Sequence, residues 1–494
     1  MSSTSNSSSQ LSTKGIDETM SGEIQFKVYE TSVDPARIPG RAPTVLLLGP
    51  WHAGTQGLAL NLSEEGYQAV LVDTAPNSAS LDALRRRPAT QPDTHVTDND
   101  LRDTDGWSVA VNLIALVDAH IQGGWNKYTG LITFGMQPQD AVVVSALHTE
   151  SSKRGGLSAC ILYGLLLKTN QLLEAANRSG DVPLLVHVPE SDTERVDALV
   201  EAAKRGGLPQ DALPFHPELA EFKASLGPVK PKTVSIFTYA SIGVNEDAAL
   251  WGCAFPFSHH AKDFAFARQV NEAHRSAAAM SYSRTVALLK STMGPRFPLE
   301  QLWDQHTFFE FATRDSAKTM STMVAQPYVN HVACLTGGAG FTQLARFYEH
   351  HFTSVSPPDT QLVPISRTIG TDRIIDEMVF ECTHTTTIDY FLPGVPPTGR
   401  KLRIPMVGIV NLRGDKLAYE SLYWDQANAL VQLGLLDPVK SSLQPGTALP
   451  IAGDQVAQKI LHPYGVPSNE LMPNWPESEG KSIPAVVAQK DTSS

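Results

Sequence analysis

LITFGMQPQDAVVVSALH, residues 131–148, decides how the first half of the chain is read. Residues 131–134 form an apolar run of strand length, and residues 140–148 carry apolar side chains at helical spacing. Between them Gly135, Met136, Gln137 and Pro138 extend neither element, so the segment reads strand, corner, helix. Outward from it lie further apolar runs at 45–48, 69–72, 159–163, 183–187 and 234–239. Helical patterns at 57–65, 107–120 and 194–205 separate them. Apolar strands alternating with helices predict a doubly wound parallel sheet covered on both faces.

Composition limits the function. A chain of 494 residues, 42% hydrophobic and 18% charged, describes folded domains, two or more of them. Acidic residues outnumber basic ones by 51 to 39, a net charge of −12, which excludes a nucleic-acid footprint. No apolar run approaches the roughly 20 residues that cross a bilayer. The start, MSSTSNSSSQLSTKG, has no apolar signal core, so a cytoplasmic protein is expected. Cys160, Cys253, Cys334 and Cys382 lie far apart without a C-x-x-C pair. That pattern predicts reduced thiols, and neither a metal nor a cofactor is expected.

Four stretches follow from composition shifts. Residues 1–40 are Ser/Thr-rich and read as a flexible lead, and 41–292 form the α/β domain. Gly294-Pro-Arg-Phe-Pro298 breaks the chain. Residues 298–436 then show helical segments (299–312, 317–325, 341–352) followed by long strands, the order of an α+β domain. The tail, 437–494, is rich in Pro, Gly and Ser. No internal repeat is present.

Several segments of the first domain fall in the order of a known family. These are LSEEGY (62–67) with AVLVD (69–73), SACILYG (158–164), PLLVH (183–187) and AAAMSYSR (277–284). Together they resemble the dienelactone hydrolases, which implies an α/β-hydrolase-like fold. The resemblance also implies a nucleophile on the corner, an imidazole base and an orienting carboxylate. Asp192 takes the carboxylate's place, and His259 or His260 that of the base. The nucleophile's position falls on Gly135, which has no reactive side chain. Gly156-Leu-Ser158-Ala-Cys160 looks like a nucleophile elbow but precedes a strand, so core packing is its simpler reading. Asp192 as a helix cap and the two histidines as surface residues are the competing readings. On this view the domain is a scaffold, a substrate cradle or a dimerisation surface, with self-association left open.

The second domain carries LWDQH (302–306), TMSTM (319–323), PYVNH (327–331), LTGG (335–338), RFYEHHF (346–352), DEMVF (376–380), PTGR (397–400) and LYWDQ (422–426). It resembles the SnoaL-like polyketide cyclases, a branch of the nuclear-transport-factor-two-like fold, nearly end to end. The fused order also resembles proteins labelled dienelactone hydrolases. The resemblance implies a conical pocket and metal-free acid–base work by aspartate and histidine. Its substrate would be a lactone, a polyketide or an aromatic carbonyl compound.

Period-two sorting supplies candidate pocket residues. Asp376, Met378, Phe380, Cys382 and His384 share a strand face opposite Ile375, Glu377, Val379, Glu381 and Thr383. The first set reads as a pocket wall ending in His384, and Glu377 stays a candidate because a bulge shifts parity. Farther on, Tyr419, Ser421, Tyr423 and Asp425 oppose Ala418, Glu420, Leu422 and Trp424. Asp425 matches the place of the cyclases' late-strand aspartate, and enclosure beside Tyr423 and Trp424 would raise its carboxyl toward working pH. A cap on the helix 426–433 is its competing reading. His331, His384 and Glu377 join Asp425 as candidate acid–base groups. Tyr348, His351, Phe380, Asp389, Tyr423 and Trp424 are candidate substrate contacts. His350 and His351 have no ligand partner at i+4. The favoured function is cyclisation, dehydration or isomerisation of a carbonyl substrate. An ester or lactone hydrolase with its nucleophile elsewhere, and a non-catalytic binding protein, are the alternatives.

Overall fold

Eight strands of the first half hydrogen-bond into one sheet, in the order β1-β2-β4-β3-β5-β6-β7-β8. The computed structural model describes residues 19–20, 24–51, 53–75, 78–86, 105–134, 141–163, 182–189, 234–239, 272–442, 446–462 and 464–479. Its contacts divide the chain into two units, Met1–Phe297 with Arg413–Asp415 and Pro298–Leu412 with Lys416–Ser494. Among the described residues no helix is long and apolar enough to cross a membrane.

In the first unit β1 (Thr19–Met20) and β2 (Ile24–Tyr29) pair antiparallel, and β2 runs antiparallel to β4 (Gln68–Asp73). From β4 onward the sheet is parallel through β3 (Thr44–Gly49), β5 (Thr129–Phe134), β6 (Ala159–Tyr163), β7 (Leu184–Pro189) and β8 (Val234–Tyr239). The helices among the described residues are α1 (Ala53–Glu64), α2 (Ala79–Arg85), α3 (Asp105–His120), α4 (Ala141–Ser151) and α5 (Glu272–Thr292).

The apolar runs are continuous because both sheet faces are covered. Leu46, Leu48, Val70 and Leu131 pack to one side with Leu113 and Val117 of α3. Val45, Leu47, Leu71 and Ile132 pack to the other with Leu62 of α1 and Leu289 of α5. The elbow-like segment belongs to this core: Cys160 is 1% exposed within β6, and burial pushes its thiol up to about 12. A thiol held there supplies almost no thiolate at neutral pH. The Ser158 hydroxyl donates to the Lys127 carbonyl. Gly135, Asp192, His259 and His260 lie outside the described residues.

The second unit is built on a six-stranded sheet, β10-β9-β14-β13-β12-β11. Its strands are β9 (Met323–His331), β10 (Thr336–Ala339), β11 (Gln361–Ile369), β12 (Arg373–Thr383), β13 (Lys401–Arg413) and β14 (Lys416–Trp424). The helices are α6 (Leu299–Thr307), α7 (Ser316–Ser321), α8 (Phe341–Phe347), α9 (Gln426–Gln432) and α10 (Gln455–Leu461). Both α6 and α8 run on into a wide π-type turn, Phe308–Ala312 and Tyr348–Phe352. The N–H of Thr313 reaches the Phe308 carbonyl, and that of Thr353 the Tyr348 carbonyl. Each turn therefore holds one extra residue, a feature that recurs at functional sites.

Strand parity decides which side chains face inward. Along β12, Asp376, Met378, Phe380 and Cys382 are buried while Glu377 and Glu381 lie on the partly exposed side. Asp376 is satisfied there: it accepts from Trp303 Nε1 at 2.8 Å and from Arg367 Nε at 2.7 Å. Along β14, Ala418, Glu420 and Leu422 are buried while Tyr423 is exposed. The C-terminal stretch is tied to this unit, for the Gly453 N–H donates to Asn428 Oδ1 at 2.6 Å and Ala457 of α10 is buried. Phe380, 2% exposed and stacked on Phe391 at 4.9 Å, anchors the inner face. Phe380→Ala is expected to cost about 3–5 kcal/mol, measured by denaturant unfolding of the full chain. A loss below about 1 kcal/mol would show that the ring is not core.

Candidate functional site

The inner face of the second sheet, with α6 and the two π turns, encloses a narrow cavity of about 390 Å³ of atom-free space, mouth included. Phe352, Met378, Phe380, Phe391 and Leu422 make its walls largely apolar. Two carboxyl groups, Glu310 and Glu420, and one imidazole, His331, also line it. In a wall of this kind each needs a reason to be there, because an unpaired buried charge is costly.

Glu310 comes from the first π turn, one helical turn after His306, and Glu420 from the middle of β14. His306, Glu310 and Glu420 are 1%, 3% and 3% exposed. One donor atom from each lies within 4.8 Å of the others. His306 Nε2 meets Glu310 Oε1 at 3.1 Å, and His306 Nδ1 meets Thr322 Oγ1 at 2.5 Å. Thr322 spends its only hydroxyl proton on the Thr319 carbonyl at 2.6 Å. Its oxygen can then only accept from His306, which fixes an Nδ1–H and turns Nε2 toward the carboxylates. Burial, then the charge of Glu310, raises the Glu420 carboxyl well above the usual range. Burial also raises the Tyr348 hydroxyl, and Glu310 and Glu420 push it further.

His331 repeats the device without a carboxylate. Its Nδ1 lies 3.0 Å from Thr336 Oγ1, and Thr336 donates to the Tyr390 carbonyl at 2.6 Å. The donor count again gives Nδ1–H and leaves Nε2 an acceptor. Phe347, Phe352, Tyr390 and Trp424 surround the ring, and burial drops its pKa to about 3, so it is neutral.

The other expected residues divide. Phe380 and Trp424 line the cavity with His331, and Tyr348 is buried beside its carboxyl cluster. Asp425 is corrected: it is exposed, and its carboxylate caps α9 by accepting from the N–H groups of Ala427 and Asn428 at 2.9 and 3.3 Å. Glu377 keeps its plain parity, faces outward and accepts from Ser366 Oγ at 2.9 Å. Tyr423 also faces outward. His351 and Asp389 form a half-exposed pair at 3.1 Å and do not line the cavity. His384 is buried, 3.2 Å from Thr398 Oγ1, with no partner for Nε2 among the described residues, and it too lies outside the cavity lining.

The site's own centre, His306, Glu310 and Glu420, is not in the sequence-based set. Its signals were a lone acid between Ala418 and Leu422 on an apolar strand face, and a His–Glu pair at i,i+4.

No protein-family model matches the chain, and no curated protein matches it. Solved structures similar to part of it include one described as a putative SnoaL-like polyketide cyclase from Jannaschia, at 17% identity over 29% of this chain and 99% of that one, TM-score 0.23. Another is a hypothetical protein with a ketosteroid isomerase-like fold from Catenulispora acidiphila in complex with trimethylamine, at 14% identity over 27% and 93%, TM-score 0.22. A third is AclR, a putative hydroxylase from Streptomyces galilaeus, at 17% identity over 29% and 93%, TM-score 0.24.

Because Asp425 caps a helix outside the cavity, Asp425→Ala should lower stability by about 1 kcal/mol. Binding of an aromatic fluorophore in the cavity should not change. A melt left in place together with weakened binding would return Asp425 to the site.

Proposed function

We propose that the second unit is an enzyme acting on a small, largely apolar carbonyl compound, of the lactone or polyketide type. It would catalyse proton transfer at the carbon beside the carbonyl, leading to isomerisation, cyclisation or dehydration. The observation that carries this reading is the pair of carboxyl groups, Glu310 and Glu420, buried at an apolar cavity's wall with His306 behind them. A site that excludes water but holds an acid–base pair is suited to taking a proton from carbon and returning it to another carbon or to oxygen. Neutral His331, with Nε2 free to accept, would hold a hydroxyl or enol hydrogen of the substrate. The first unit, in this reading, is a dienelactone hydrolase-like scaffold or cradle, consistent with the core placement of Cys160. A SnoaL-like ancestry for the second unit agrees with its order of two helices, the strands β9 and β10, helix α8 and the four strands β11–β14.

Deuterium wash-out gives a test that needs no natural substrate. A panel of α-deuterated 1,3-diketones and β-keto lactones is incubated with the full chain and followed by NMR. Catalysed wash-out is expected, and Glu420→Gln and Glu310→Gln should each slow it by about a hundredfold or more, the usual weight of a general acid–base group. Wash-out unchanged in both variants, or no catalysis on any compound shown to bind, would remove this function.

A further inference from the structure

We propose that His306 Nε2 and the carboxylates of Glu310 and Glu420 also bind one divalent first-row metal ion, reached from the cavity. Only its consequence for turnover rests on the function proposed above.

Geometry comes first. Oxygen and nitrogen ligands held at about 2.0–2.2 Å from one ion lie roughly 3–4 Å apart. The three donor atoms already lie within 4.8 Å of one another, and the His306–Glu310 pair stands at 3.1 Å. Closing the set requires a shift of about an ångström or less by a side chain such as Glu420. The imidazole is prepared as a ligand: its Nδ1–H is committed to Thr322, which leaves the Nε2 lone pair directed at the carboxylates. An outer hydrogen bond of this kind is the usual companion of a metal-bound histidine.

Glu420 supplies an independent observation. It is 3% exposed and lines the cavity, yet no hydrogen bond to its carboxylate is present among the described residues. No lysine or arginine is paired with Glu310 or Glu420 there either. Two ionised carboxylates and a neutral imidazole carry a charge of −2, which one divalent cation cancels. One nitrogen and two carboxylate ligands suit zinc, cobalt, manganese or iron more than a thiophilic ion. Three protein ligands also leave coordination positions open toward the cavity, as in metal sites that meet small molecules. With the metal bound, the carboxylates are committed as ligands and proton transfer by them stops.

The test uses the full chain, stripped with chelator, dialysed and titrated with Co²⁺ alone. One equivalent should bind with the visible absorption of a low-coordinate nitrogen–oxygen site, and Zn²⁺ should displace it. His306→Gln and Glu420→Gln should abolish that signal, and Thr322→Val should weaken binding by roughly 10–100-fold. His351→Gln, a change at a half-exposed pair outside the cavity, should leave it intact. If a ligand variant does not fold, cobalt-edge X-ray absorption on the unaltered chain decides, and it must show one imidazole with oxygen neighbours. No stoichiometric binding, binding that survives both ligand variants, or loss in His351→Gln overturns the site. Deuterium wash-out separates the two readings. Stripped chain should catalyse it and Co²⁺-loaded chain should not. Wash-out absent from stripped chain that binds Co²⁺ ends the proton-transfer function and leaves the metal site. Wash-out unaffected by bound Co²⁺ overturns the assignment of Glu310 and Glu420 as its ligands.

Discussion

Charge balance out of water is the constraint on which the second unit's interior depends. Placing His306, Glu310 and Glu420 together behind apolar walls strands ionisable groups where solvent cannot neutralise them. Desolvating even one ion costs several kcal/mol, so the cluster must be compensated locally. Its neighbours are arranged accordingly. Thr322 fixes the imidazole's donor side, Glu310 meets the other nitrogen, and Tyr348 lies against the carboxyl groups. Removing any one member leaves the others uncompensated, which couples the cavity's chemistry to its packing.

The helices deliver these groups through their irregularities. A regular helix from Leu299 onward would carry its inward stripe past residue 307 without interruption. The π turn Phe308–Ala312 inserts a residue there, and Glu310 and Phe311 both reach the cavity. The turn Tyr348–Phe352 does the same opposite, bringing Phe352 to the wall and Tyr348 to the carboxyl groups. Backbone regularity is given up where polar groups have to enter an apolar interior.

How much of this could be read from sequence depends on which physical signal each residue leaves. Strand runs such as 45–48 and 131–134 were legible because burial on both faces demands unbroken apolar stretches. The parity of β12 was legible too, since alternation fixes Phe380 inward and Glu377 outward. Asp425 was misleading because one residue type serves two purposes: at a strand end before a helix, an aspartate side chain captures free N–H groups at once. Glu420 was visible in the same alternation but gave no sign of a partner, for its company comes from Glu310 and His306, more than 100 residues earlier. The π turns left no signature in hydrophobic periodicity. The corner at Gly135, where the first unit's resemblance matters most, lies outside the described residues.

Two histidines, His331 in the cavity wall and His306 behind the carboxyl groups, are oriented by the same device but meet different surroundings. Thr322 and Thr336 each spend a proton on a backbone carbonyl and so force an Nδ1–H on the ring they face. What differs is the far nitrogen. That of His306 meets the Glu310 carboxylate. His331 has aromatic rings around it, and desolvation keeps it neutral. The cavity therefore has a carboxyl region that favours positive charge and an imidazole that offers a neutral acceptor. A carbonyl compound entering it would meet proton-accepting chemistry at one place and a hydrogen-bond acceptor at the other. Under the proposed function this asymmetry orients the substrate: the acidic carbon faces Glu310 and Glu420, while a hydroxyl or enol hydrogen faces His331. Neither threonine touches the reacting atoms, yet each decides which nitrogen its histidine presents.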